Sequence, residues 1–86
     1  MSRYKVVGSW SEEKAASVDG VRFSLQSATI VDKQDGHQYS DGGWRVTVGG
    51  KAPRGKGGTV PFYGESAWSD GERFYGDIVT KARYAR

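Results

Sequence analysis

Apolar and polar positions alternate along much of this chain. In Arg3–Trp10, Tyr4, Val6 and Trp10 fall on one side and Lys5, Val7 and Ser9 on the other. That period of two predicts a strand, with Gly8 as a candidate bulge. Ser11–Ala16 breaks the pattern and reads as one capped helical turn or a polar loop. Ser11 can cap, and Glu12 and Glu13 suit a helix N-terminus. Asp19-Gly20 signals a turn. Val21–Asp32 is a long strand whose apolar phase runs through Val21, Phe23 and Leu25, then moves to Ala28 and Ile30. A phase change without a turn predicts a bulge or a coiled strand of the kind small barrels use. A polar loop with Asp35-Gly36 and Asp41-Gly42-Gly43 follows. Then Trp44, Val46 and Val48 point inward against Arg45 and Thr47.

The last third reads in two ways. In the first, Thr59–Trp68 and Arg73–Arg83 form a hairpin about Asp70-Gly71, a strong two-residue turn signal. The fold is then mainly β, a small five-stranded antiparallel barrel of the oligonucleotide-binding or SH3-like kind with one short helical turn. In the second, Ser69-x-x-Glu72 is a capping box, and Phe74, Tyr75, Ile78, Val79 and Ala82 recur at helical spacing. The fold is then α+β, with a C-terminal helix over about 70–85 packed on an antiparallel sheet. Gly76 opposes the helix by about 1 kcal/mol, and Phe, Tyr, Ile, Val and Thr prefer strands. The balance favours the hairpin.

Composition narrows the class. A chain of 86 residues makes one domain, 1–86. Three Trp, five Tyr and three Phe give it enough large apolar groups to order. With no Cys and one His, a structural zinc site is not expected, and the cytosol is the default compartment. No stretch resembles a signal peptide or a membrane span. The net charge of +3 is unevenly placed. Residues 1–43 hold five bases against six acids, and residues 44–86 hold eight bases against four. A basic half predicts a polyanionic partner.

Two stretches could carry that partner. The Gly49–Gly58 loop holds Lys51, Arg54 and Lys56 on a flexible glycine backbone suited to following phosphates. Residues 50–57 nearly spell the phosphate-cradling motif, but Gly57 stands where a hydroxyl is needed and Pro61 blocks a following helix, so the match is chance. The predicted hairpin would put Phe62, Trp68, Arg73, Tyr75, Lys81 and Arg83 on one face. Aromatics interleaved with bases suit single-stranded nucleic acid. With Arg45, and with Trp44 and Phe62 as further stacking candidates, the nucleic-acid-binding set is Arg45, Lys51, Arg54, Lys56, Trp68, Arg73, Tyr75, Lys81 and Arg83. His37, in a polar loop, reads as a surface residue. No catalytic, metal or cofactor constellation is present, so no enzyme is expected. The expected function is a non-enzymatic, cytoplasmic module that binds single-stranded nucleic acid. The alternative is a small phage or mobile-element protein that binds and inhibits or adapts a host protein complex, since exposed aromatics with Arg also make interface hot spots. A long sheet edge would also permit a homodimer.

Overall fold

The computed structural model describes residues 3–51, 53 and 61–85. Among these residues, four antiparallel strands lie in chain order: β1 (Tyr4–Val18), β2 (Val21–Asp32), β3 (Gln38–Val48) and β4 (Phe62–Tyr63). Helix α1 (Ala67–Tyr84) packs on one face. The sheet is open and the molecule elongated, 47 × 20 × 18 Å.

The expected barrel does not form. Closure would need a fifth strand to join β1 to the far edge, and the segment assigned to it, Arg73–Arg83, is helical. The helix wins because Ala67, Gly71, Phe74, Tyr75, Ile78, Val79 and Ala82 make one stripe. That stripe covers Val18, Phe23, Leu25, Trp44 and Val46 of the sheet. A hairpin would leave this sheet face in water. Asp70 in the first turn and Lys81 and Arg83 in the last complement the helix dipole. Asp70-Gly71 is therefore not a turn. A Cβ at Gly71 would lie 2.9 Å from Trp44 Cβ, so glycine is what lets the helix approach the sheet. Nor does the capping box form, since the helix begins earlier, with Ser66 as N-cap.

Ser11–Ala16, expected as a helical turn or loop, belongs to β1. As part of an edge strand it has exposed positions on both sides, so alternation is lost. The turn at Asp19-Gly20 forms as expected, with φ of 51° and 79° and Val18 facing Val21.

The phase change in β2 has a different origin from a bulge of β2 itself. Between Val7↔Thr29 and Ser11↔Ser27, β1 spends four residues against two of β2, beginning at Gly8 (φ 82°). Between Gly43↔Ala28 and Tyr39↔Ile30, β3 does the same, with Asp41 at φ 54°. Both neighbours bulge at one level while β2 runs through. Below this level Phe23 and Leu25 face α1. Above it Ala28, Ile30 and Asp32 are buried on the opposite face. The sheet thus has two half-cores on opposite sides.

Candidate nucleic-acid interface

The sheet face away from α1 has no second layer among the described residues. Its buried positions are covered by side chains of the same sheet. Ile30 is fully buried there, and a Cβ at its neighbour Gly43 would lie 2.8 Å from Ile30 Cγ2 and 3.4 Å from the Tyr63 ring. Three tyrosines gather at this end. Tyr4 stands 5.7 Å from Tyr63 and 6.4 Å from Tyr39, centroid to centroid, and His37 meets Tyr39 edge-on at 4.6 Å. The register brings them together: Tyr4 faces Asp32, Tyr39 faces Ile30, and Tyr63 faces Gly43. Tyr63 points to this side because its neighbour Phe62 packs against Phe74 of α1. Farther along the same face, the Arg45 guanidinium lies 4.5 Å over the Trp10 ring. Trp10 reaches it from the β1 bulge.

Charges on this face are mostly paired. Arg3 donates to Asp32 Oδ2 from Nε at 2.9 Å and from Nη2 at 2.6 Å. The Gln34 backbone N–H donates to Asp32 Oδ1 at 2.8 Å. The Arg3 hydrogen bond first, and then the backbone one, hold the Asp32 carboxyl below its ordinary range. This anchor fixes the β2–β3 turn that carries His37 to Tyr39. Arg22 donates twice to Glu12 and, with Ser24, lowers its pKa. Arg45 has no ion pair among the described residues. Burial alone pushes its pKa down, though guanidinium stays charged at any working pH. Burial, followed by the charges of Asp35 and Asp32, pushes the Tyr39 phenol up.

The residues expected at the interface are scattered. Among the described residues of that set, Arg45 alone lies on the uncovered sheet face. Lys51 closes the Gly49-Gly50 turn by exchanging backbone hydrogen bonds with Val48. Arg54 and Lys56 lie outside the described residues. Trp68, Arg73, Tyr75, Lys81 and Arg83 are all on α1, so the hairpin face expected for them does not exist. Tyr75 points inward and packs against both core clusters. Trp68 is 57% exposed. Arg73, Lys81 and Arg83 are exposed but spread around the outer helix, at about 100° per residue. Arg73 borders a shallow groove of about 200 Å³ with Phe62, Phe74, Asp70 and Asp77, whose two carboxylates offset it. Of the other stacking candidates, Trp44 is 7% exposed and Phe62 packs against its cluster.

Sequence reasoning missed Tyr4, Trp10, Tyr39 and Tyr63 as a group. The available signal was the shift to Ala28 and Ile30, which marks where the buried side of β2 changes. Among the described residues no helix is long and apolar enough to cross a membrane. No group of three or more His, Cys, Asp or Glu among them could hold a metal ion. Comparison with protein-family models, curated proteins and solved structures finds no match to this chain.

Proposed function

We propose that this protein is a non-enzymatic module that binds single-stranded nucleic acid across the sheet face away from α1. The observation that carries this reading is that face, uncovered among the described residues, with Tyr4, Tyr39 and Tyr63 clustered on it and Trp10 under Arg45, which has no ion pair among the described residues. Aromatic rings in a sheet give unpaired bases a stacking surface, and cations meet the phosphates between them. Sequence preference is weak, because stacking accepts any base. The chain's net charge of +3 adds non-specific attraction. The test is fluorescence anisotropy with a labelled single-stranded oligonucleotide. Binding is expected at low salt and should weaken as salt rises. Tyr39→Ala and Tyr63→Ala should each cost about 1–3 kcal/mol of affinity if the ring stacks on a base. Absence of binding at low salt sinks the proposal.

A second reading rests on Trp68. A tryptophan 57% exposed on a helix is a natural anchor for a protein partner, such as a host complex. A pull-down that survives nuclease treatment and is lost in Trp68→Ala would favour it.

A further inference from the structure

We propose that Arg45 is a pre-set fork for a single phosphate group, and that Gln26 is the residue that sets it. The identity of that phosphate as part of a polynucleotide rests on the function proposed above.

Arg45 is held on two sides. Its guanidinium carbon lies 4.5 Å over the Trp10 ring. Its Nε donates to Gln26 Oε1 at 2.7 Å. The rest of the chain of contacts follows from donor chemistry. Arginine can only donate, so Gln26 must turn its oxygen toward Arg45. Its amide nitrogen is then left to donate, and it meets Ser24 Oγ at 3.3 Å. The Ser24 hydroxyl must in turn give its proton elsewhere, and it donates to Glu12 Oε1 at 2.9 Å. Glu12 is fixed by two donations from Arg22 Nη2, at 2.9 and 2.7 Å. Ser24 is 4% exposed, so the middle of this relay is shielded from water.

The relay has a consequence for charge. Glu12, the carboxylate at the far end of the relay, is occupied by Arg22 and Ser24. The two Nη groups of Arg45 have no acceptor among the described residues. A planar guanidinium with one edge pinned and the other open matches the geometry of a two-oxygen anion. Partial burial strengthens that attraction by removing competing water. The tyrosine cluster begins at the Ile30 row, four residues along β2 from Gln26 and about 13 Å away. A phosphate on Arg45 therefore leaves the adjoining nucleotides to reach Tyr39 and Tyr63.

Three proteins test this: wild type, Arg45→Lys and Gln26→Met. Each is first checked for an unchanged circular dichroism spectrum and melt. Anisotropy titrations with a labelled single-stranded oligonucleotide follow, across a range of salt. Arg45→Lys keeps the charge but loses the fork, and should weaken binding on the order of tenfold with little change in salt slope. Gln26→Met leaves Arg45 in place but unpinned, and should weaken binding by several-fold. Wild-type affinity in both variants would overturn the fork while leaving the nucleic-acid reading intact. If wild type binds no oligonucleotide, the fork is judged with inorganic phosphate, following the Trp10 indole resonance by NMR. A phosphate-dependent shift abolished by Arg45→Lys supports the anion site, and no shift overturns it.

Discussion

Glycine-to-alanine exchange at two positions of α1 separates what the helix wants from what the sheet allows. Gly71 and Gly76 both lie in the helix interior. Alanine is better than glycine there by about 1 kcal/mol at either site. The surroundings differ. A Cβ at Gly76 meets nothing within 4 Å. A Cβ at Gly71 would be 2.9 Å from Trp44 Cβ and 3.6 Å from both Leu25 Cδ1 and Trp44 Cγ. The Trp44 Cβ belongs to the stem of a side chain that is 7% exposed, so it cannot swing away. The helix must instead lift by about half an ångström to reach ordinary carbon contact. Leu25, Val46 and Ala67 are nearly fully buried in the same cluster and would lose packing. Overpacking of this kind costs about 1–3 kcal/mol. Gly76→Ala should therefore stabilise by about 1 kcal/mol, and Gly71→Ala should fall below it by about 1–3 kcal/mol. Because intrinsic helix preference cancels between them, the gap reports the contact alone. It corresponds to a melting difference of about 4 °C or more for a domain of this size. Thermal and urea unfolding followed by circular dichroism measure it. Equal shifts in the two variants would refute the close approach of Gly71 to Trp44.

Three further outcomes are expected. The Asp32 carboxyl is held below its ordinary range by Arg3, so it stabilises the fold above its unfolded pKa of about 3.9, and that stability is lost as pH falls through the depressed folded value. Urea midpoints across acidic pH should show this loss in wild type and a flatter profile in Asp32→Asn; parallel profiles would remove Asp32 from the account. Trp68→Ala should change stability by no more than about 0.5 kcal/mol, because the side chain is largely exposed; a larger loss in a thermal melt would mean that Trp68 packs. Gly20→Ala should destabilise the β1–β2 hairpin by about 1 kcal/mol, since φ of 79° strains any residue with a Cβ, and hydrogen exchange of the flanking amides should quicken.

The strand pairs were readable where one face is buried. Phe23 and Leu25 alternate, as do Trp44, Val46 and Val48, and all end up under α1 or at its margin. Asp19-Gly20 was readable because both residues take the positive φ that such a turn signal implies. Asp70-Gly71 misled for the opposite reason. The same dipeptide serves a turn through positive φ or a helix through the missing Cβ, and only the position of Trp44 decides between them. The helical stripe of Phe74, Tyr75, Ile78, Val79 and Ala82 was visible, and its β-favouring residue types spoke against it. Tertiary burial overrode that propensity. The candidate face was harder to see. Tyr4, Tyr39 and Tyr63 come from three strands, and it is the pairing of those strands that brings them together. Local periodicity marks the level, through the shift to Ala28 and Ile30, but not which side chains of the neighbouring strands gather there. Arg45 was singled out for its charge, but Trp10, Gln26 and Ser24, which position it, lie elsewhere in the chain.

The most direct test of the central proposal is a backbone and indole NMR titration of the full chain with a short single-stranded oligonucleotide at low salt. Shifts are expected at the Trp10 indole and at the amides of Tyr39, Gly43, Arg45 and Tyr63, with the outer face of α1 unmoved. Shifts confined to α1 around Trp68 and Arg73, or none at all, would contradict it.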